Sequence, residues 1–492
     1  MSELPNGWLT LPLGEVNQFS SSTIDPSTRP NEVFELYSVP SFPTGAPERL
    51  PGSAIGSTKQ AVTPGDVLVS KINPRINRVW TVGPEAAEVQ IASSEWIGFR
   101  SSVVQPIFAN YYFKSPDFRE LICSEVAGVG GSLTRAQPKR VAGYPVLIAP
   151  SNEQTRIANQ LDTLFTCIQA CNDRLNAIPA LLKRFRQTVL DSATTGQLTD
   201  DWRTDKLGQV TAEAVVAARL AVAGARPTKT ASKFFESHQP VAPQKGTLPG
   251  TWLLTHIGMV GVVSNGSTPS RQEPSYWGSG IPWVSSGEVA NGVIRHTREQ
   301  ITDSGFKNSS VRLLPQGSVL MAMIGEGKTR GQSAILDIDA CINQNIAGVV
   351  PVDGILDSKY LWFWFRREYE NTRTKGNGSG PKALNCERVR ELEINLPPLP
   401  EQTEIVRRVE ALFALADRIE ARCTAARTQA QRLTPLVLAK AFRGELVPQD
   451  PSDEPASALL ARIASSNTAV VGKIKRKVPA ALKKRAQAAI YL

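Results

Sequence analysis

The residues with the most chemical promise stand in "MIGEGKTRG" (Met323 to Gly331), where Gly327-Lys328-Thr329 copies the end of a phosphate-binding loop. A loop of that kind cradles phosphates with backbone N–H groups and a lysine, and needs another glycine five positions before Gly327. Ala322 stands there, so the pattern fails and a turn between strands is the expectation. Glu326-Gly327-Lys328 could pair with Asp303 as half of a metal-nuclease site, but triplets of this kind arise by chance in a long chain. His238, His256 and His296 fall into no nucleophile or metal arrangement. The six cysteines (Cys123, Cys167, Cys171, Cys341, Cys386, Cys423) form no CxxC pair, so they read as reduced thiols rather than as a zinc or disulfide framework. No glycine-rich dinucleotide fingerprint follows a strand. No Asn-Pro-Pro-aromatic or Asp-Pro-Pro-Tyr tetrapeptide of adenine methyltransferases is present either. Neither a metal nor a cofactor is expected on this chain, and any catalysis must come from a partner.

Composition points to a binding role. The 492 residues suffice for two to four domains, and with 41% hydrophobic and 20% charged residues most of the chain should fold. A formal charge of +10 suits a polyanionic partner such as nucleic acid. The opening "MSELPNGWLTLPLGEV" has no basic segment followed by an apolar one, and no window carries enough apolar residues to span a membrane. The cytoplasm is therefore the expected location.

The elements that must position any binding residues occur twice. Glu153-Gln154-Thr155 returns 248 positions later as Glu401-Gln402-Thr403, and the match persists without a gap through Leu164-Phe165 and Leu412-Phe413 to Gly196 and Gly444. The segments in front echo each other more faintly: Trp8 and Gly14 against Trp252 and Gly258, "TPGDVL" (from Thr63) against "LPQGSVL" (from Leu314). A repeat this long is a duplicated module, not a solenoid. Runs such as "GDVLVSKI", "IPWVSSGEV" and "GSVLMAMI", broken by Gly- and Pro-rich turns, predict mixed α/β globules.

The common segment has a heptad seam. Apolar residues in the first copy fall at Ile157, Leu161, Leu164, Ile168, Cys171, Leu175, Ile178, Leu182, Phe185 and Val189. The second copy gives Ile405, Val409, Leu412, Ala416, Ile419, Cys423, Ala426, Ala430, Leu433 and Val437, with small residues that admit a close partner. About 40 residues at about 1.5 Å each make a rod of about 60 Å, which Pro179 and Pro435 should kink and Gly196 and Gly444 should end. Burying the two seams against each other in antiparallel fashion would relate two variable domains by a pseudo-two-fold axis, as suits a two-part DNA site. The competing arrangement packs each helix on its own globular domain.

This order of variable domain, EQ-headed helix, "RFRQTVLDSATTGQLTDDWR", second variable domain and "PPLPEQTEIV" helix resembles the specificity subunit of a Type I restriction–modification enzyme, over essentially the whole chain. The first helix opens with "APSNEQ" instead of "PPLPEQ", so its first turn can differ. The resemblance implies an α/β (α+β) fold with two target-recognition domains joined by two long antiparallel helices. Residues 1–149 and 248–395 would be the recognition domains, 150–203 and 396–450 the helical spacers, 204–247 a linker and 451–492 a basic tail. It further implies that each domain reads one half of a split, asymmetric site in double-stranded DNA. The helices would set the gap and dock two methyltransferase subunits, with restriction subunits as possible further partners. S-adenosylmethionine, ATP and Mg would be expected on those partners, and no catalysis in this chain. A self-contained nuclease or methyltransferase, and a coiled-coil scaffold that binds no specific DNA, are the alternatives.

Phosphate contacts need cations, hydroxyls and backbone amides in pliable loops. In the first domain "KINPRINR" offers Lys71, Arg75 and Arg78, and "GGSLTRAQPKR" offers Ser132, Thr134, Arg135, Lys139 and Arg140. In the second, "NGSTPSR" offers Thr268, Ser270 and Arg271, "EGKTRG" Lys328 and Arg330, and "KGNGSGPK" Lys375, Ser379 and Lys382. Each of these is equally well a solvated surface charge. Glu288 and Gln332 are candidates for base edges, and the basic run from Lys473 to Arg485 for either phosphate or subunit contacts or a solvated tail.

Overall fold

The computed structural model describes residues 4–20, 22–124, 134–205, 248–325, 328–374 and 384–470, together with residues 234, 238, 240, 241 and 244. Two compact units emerge: residues 1–176 with 424–492, and residues 177–423. Each unit therefore takes part of both long helices, Ser151–Thr195 and Leu399–Phe442.

In the first unit the strands are β1 (Leu9–Pro12), β2 (Thr23–Ile24), β3 (Val33–Tyr37), β4 (Glu48–Pro51), β5 (Lys59–Ala61), β6 (Val67–Ser70), β7 (Val79–Thr81), β8 (Val89–Ala92), β9 (Trp96–Phe99) and β10 (Pro145–Ile148). They form a five-stranded sheet β2-β5-β8-β3-β4, a three-stranded sheet β7-β6-β9 and the pair β1-β10. The second unit contains β11 (Leu253–His256), β12 (Gly261–Asn265), β13 (Trp277–Val284), β14 (Val293–Ile294), β15 (Glu299–Ile301), β16 (Leu313–Leu314), β17 (Val319–Ala322), β18 (Ser333–Leu336), β19 (Ala340–Ile342), β20 (Ile346–Pro351) and β21 (Glu393–Leu396). Its sheets are β12-β20-β17-β18-β14 and β15-β13-β19-β16, with the pair β11-β21.

The two topologies are one plan built twice. In both, a parallel pair (β3 with β8, β13 with β19) is flanked by antiparallel neighbours. In both, an antiparallel trio surrounds a wholly buried strand, β6 or β17. That burial explains why "VLVS" and "VLMA" read as nearly continuous apolar runs instead of alternating ones. The turns leading in are also alike, with Gly65 N donating to Val82 O (3.1 Å) and Gly317 N to Leu336 O (2.8 Å).

One helix covers each trio, Pro106–Lys114 or Ser358–Arg367, inserting Phe108, Tyr112 and Phe113 or Tyr360, Leu361 and Phe365. Buried aromatics of this size stabilise by roughly 2–3 kcal/mol each. The first turn of Ser358–Arg367 is capped by Asp357, which accepts from Lys359 N and Tyr360 N.

Within the first unit, Arg427 reaches Leu175 O (3.1 Å) and Arg156 pairs with Asp453 (2.8 Å). Within the second, Arg186 pairs with Asp417 (2.6 Å) and Glu420 (2.8 Å), and Arg408 with Asp201 (2.6 Å). Ile157 and Leu161 cluster with Leu438 and Phe442 while Leu175 meets Arg427, and Arg186 meets Asp417 while Val189 and Leu190 cluster with Ile405 and Val409, so the helical segments in each unit run antiparallel. The seam, however, is not evenly covered. Ile157 and Leu161 are buried among Trp8, Phe108, Leu438 and Phe442, and Ile405 and Val409 among Trp252, Tyr360, Val189 and Leu190. Both expected arrangements thus hold at once, since these ends pack on a domain and on the other helix. Leu182, Ala416 and Ala430 are buried, and Leu164, Ile168, Leu175 and Leu412 are half-buried. Phe185, Ile419 and Leu433 are exposed, because a 3.5-residue repeat drifts around a straight 3.6-residue helix and leaves the contact line.

Both helices also continue through their prolines. Pro179 cannot donate to the carbonyl four residues back, Leu175 O, and Arg427 donates to that oxygen instead. Gly196 (φ 84°) and Gly444 (φ 73°) end the helices in left-handed conformation. A Cβ on either would lie 2.4 Å from Pro249 or Pro5 respectively, so glycine also permits the helix end to touch the start of β11 or β1's segment.

Candidate nucleic-acid interface

The repeated Glu-Gln pair is a joint between domain and helix. Glu153 accepts from Trp8 Nε1 and Glu401 from Trp252 Nε1, both at 2.9 Å and both buried. The glutamines bridge backbone: Gln154 donates to Val103 O and Ala149 O and accepts from Gln105 N. Gln402 donates to Ile355 O and Pro397 O and accepts from Asp357 N. Glutamine is suited to this place because its amide satisfies buried donors and acceptors together without adding charge. The joints differ at one point. Glu401 also accepts from Thr199 (2.7 Å) and pairs with Arg203 (2.5 Å). Glu153 Oε1 is buried with no hydrogen bond of ordinary geometry among the described residues, and burial pushes the carboxyl above its ordinary range.

Two basic stretches distant in sequence meet in the first domain. Ile72 and Arg135 form an antiparallel bridge, Asn73 N donates to Thr134 O (3.0 Å) and Ala136 N to Lys71 O (2.9 Å). The turn Ser93–Glu95, which carries the chain from β8 in one sheet to β9 in the other, closes the junction. Glu95 O accepts from Lys71 N (2.9 Å), Ser94 O accepts from Lys71 Nζ, and the Glu95 carboxylate pairs with Arg135 at 3.1 Å. Lys71, Thr134 and Arg135 are thus brought together, and burial pulls the Lys71 ammonium below its ordinary value. Arg75 is exposed on the adjoining turn, whose carbonyl Arg119 holds at 2.6 Å, while Arg78 is half-buried. Lys139 and Arg140 are exposed on the short helix Pro138–Val141. Ser132 lies outside the described residues. Asn73 (φ 47°) and Asn77 (φ 52°) flank the turn, each with a buried Oδ1 that has no partner among the described residues.

The second domain has the same backbone junction with different side chains. Met323 N donates to Asn345 O (2.9 Å) and Leu384 N to Met323 O (3.1 Å), as Lys71 and Ala136 do in the first. Where the first domain has Lys71 and Glu95, this one has Met323 and Asn345. Thr268 donates to Gln344 Oε1 in the turn from β19 to β20. Ser270 O accepts from Trp277 Nε1 (3.1 Å). Arg271 grips Glu299 through two bonds (2.5 and 2.9 Å) and lies 3.6 Å from the Trp277 ring centre. The pair holds Glu299 below its ordinary value. Such a guanidinium is already oriented, which favours a bidentate or stacked contact over a loose one. Lys328 is exposed in the turn between β17 and β18, and Arg330 and Arg373 exchange bonds to each other's carbonyls. Lys375, Ser379, Lys382, Glu326, Gly327 and the run from Lys473 to Arg485 lie outside the described residues.

Glu288, expected as a candidate for a base edge, also supports its own loop. Both its oxygens are used in capping the turn Ser286–Glu288 and in accepting Arg298 N (2.9 Å). Gln332 is half-buried between Ala322 and β18. The turns Ser93–Glu95 and Asn343–Asn345 were not singled out from sequence, although three amide side chains in a row at a strand end are a legible sign. Among the described residues no group of three or more His, Cys, Asp or Glu side chains is placed to hold a metal ion, and no helix is long and apolar enough to cross a membrane.

The comparisons agree with this architecture. Residues 249–425 match the family described as Type I restriction modification DNA specificity domain. The Type I restriction enzyme EcoDI specificity subunit of Escherichia coli is 27% identical over 360 residues, spanning 70% of this chain and 74% of that one. The EcoBI specificity subunit, also from Escherichia coli, is 29% identical over 66% of this chain and 65% of its own length. In fold, the chain is similar to the HsdS subunit from Thermoanaerobacter tengcongensis, with a TM-score of 0.60 and 20% identity across 90% of this chain and 98% of that one. With the EQ joint built twice and residues 249–425 matching the Type I restriction modification DNA specificity domain, the chain is similar over most of its length to the specificity subunits of Type I restriction–modification systems.

Proposed function

We propose that each recognition domain reads one half of a split, asymmetric site in double-stranded DNA, that the paired helices set the gap between halves, and that two methyltransferase subunits dock on the helices. This chain then contributes recognition and no chemistry, with S-adenosylmethionine, ATP and Mg held by its partners in the cytoplasm. One observation carries the reading: the same sheet plan and the same EQ joint occur twice, while the side chains at the shared junction differ. A two-part asymmetric target requires that combination of a constant scaffold and divergent readers. Lys71, Arg75, Arg135, Lys139 and Arg140 in the first domain, and Thr268, Ser270, Arg271, Lys328 and Arg330 in the second, are the proposed backbone-contacting groups.

For docking, the helices offer exposed apolar side chains. Leu181, Phe185, Leu415 and Ile419 belong to the second unit and Leu433 and Leu436 to the first. Large exposed apolar side chains in water favour a protein partner. Replacing Leu181 and Leu415 with serine is expected to reduce co-purification of the methyltransferase subunits while each recognition domain stays folded. The deciding experiment is a genome-wide map of adenine methylation in cells with and without this gene. Loss of one split, asymmetric motif supports the reading. An identical map in cells that express the chain and its methyltransferase partners overturns it.

A further inference from the structure

The turns Ser93–Glu95 and Asn343–Asn345 occupy the same place in the two domains. Each carries the chain between sheets, and the carbonyl of its last residue accepts the N–H of Lys71 or Met323 at 2.9 Å. The middle residue, Ser94 or Gln344, is exposed in both, so one backbone geometry presents two different side chains. We propose that Gln344 reads an adenine in the major groove, and that Ser94 faces the base at the corresponding place in the other half-site. The proposal rests on the reading of these domains as duplex-DNA binders.

Gln344 is built for this task. Its Oε1 accepts from the Thr268 hydroxyl, which fixes the amide plane and leaves Nε2 free to donate. The second lone pair of Oε1 stays available as an acceptor. A donor and an acceptor side by side match adenine N7 and N6–H, whereas guanine offers two acceptors and would face Oε1 with O6. The supporting backbone is held tightly. Ser267 N donates to Ile342 O (3.0 Å) and Asn343 N to Val284 O (3.1 Å), and a Cβ on Gly266 would fall 1.8 Å from Ile342 O. Only glycine lets the Thr268 loop lie this close to the reading turn.

The test uses the full chain with its modification subunits, mapping methylated sites in a host without its own adenine methylation and measuring duplex binding against salt. Gln344→Ala and the near-isosteric Gln344→Met should each relax the motif at one base pair of one half and lower discrimination there by roughly 5- to 150-fold. The salt slope should stay unchanged, because no phosphate contact is lost. Gln344→Glu should shift that position towards cytosine, and Ser94→Gln should alter the other half only. If Gln344→Ala and Gln344→Met both leave the motif and the discrimination intact, the proposal is overturned while the specificity role stands. If the wild-type complex methylates no split motif, that role fails and the proposal with it.

Discussion

At the scale of single residues, cations with different surroundings should behave differently on DNA. Arg75 and Lys139 are exposed and without a carboxylate partner among the described residues, so they are free to neutralise phosphate. Replacing either with alanine is expected to weaken binding to all duplexes alike and to reduce the salt slope by about 1. Binding isotherms at several salt concentrations check this, and a change in sequence preference would contradict it. The sequence showed that such cations cluster in turn-rich stretches. It did not show which are already engaged. Arg271, in the loop before β13, finds Glu299 on β15 and Arg135 finds Glu95 through a turn between sheets, and pairings of that kind depend on folded neighbours far along the chain. For the same reason the sequence did not show that Glu288 already holds its own turn through Oε2 and Arg298 N through Oε1.

At the scale of elements, the two joints predict opposite responses to one substitution. Glu401→Gln removes the buried carboxylate from the half-buried Arg203 guanidinium, which keeps only the exposed Asp200, and should cost about 2 kcal/mol. Glu153→Gln keeps an acceptor for Trp8 and removes a charge that burial already disfavours, so stability at neutral pH should hold or rise. With its folded value raised, Glu153 holds a proton that the unfolded chain loses earlier. Its contribution is fully present below the unfolded value and is lost as pH rises through the folded one. Thermal melts of wild type and Glu153→Gln between about pH 4 and pH 8 should therefore diverge on the alkaline side, and parallel curves would show that the carboxyl does not titrate there. Arg427 offers a second test. Arg427→Ala should cost about 1 kcal/mol, and less in a Pro179→Ala background, where the new N–H serves Leu175 O. Urea melts of the four chains give the coupling. The long helices and their terminal glycines were legible from the heptads and from Gly196 and Gly444, and antiparallel pairing was expected from the length of chain between them. The continuity through Pro179 was not, because the group that compensates for it lies on the other helix.

At the scale of the whole molecule, duplication was the most legible feature, since the EQ helices repeat nearly unchanged. The shared sheet plan was almost hidden, because pairing such as β3 with β8 constrains backbone and burial rather than residue identity. The division into units was not visible in linear order at all. Leu161 lies in the apolar cluster of one unit and Val409 in that of the other. Alanine at either should cost about 2–4 kcal/mol for Leu161 and somewhat less for Val409. Amide hydrogen exchange should quicken chiefly in residues 1–176 and 424–470 for Leu161→Ala, and in 177–423 for Val409→Ala. Uniform quickening in both variants would mean that the units open as one.

The make-up of the first unit also sets an order on the ribosome. Trp8, Phe108 and Leu161 share their cluster with Leu438, Phe442, Ala456 and Leu459, and Gly7 O accepts from Ala456 N at 2.9 Å. The nascent chain therefore exposes an unfinished apolar surface while roughly 250 further residues are made, about 12 to 50 seconds at bacterial or eukaryotic speeds. Residues 177–423 are complete before then, so the domain translated first is the one that closes last.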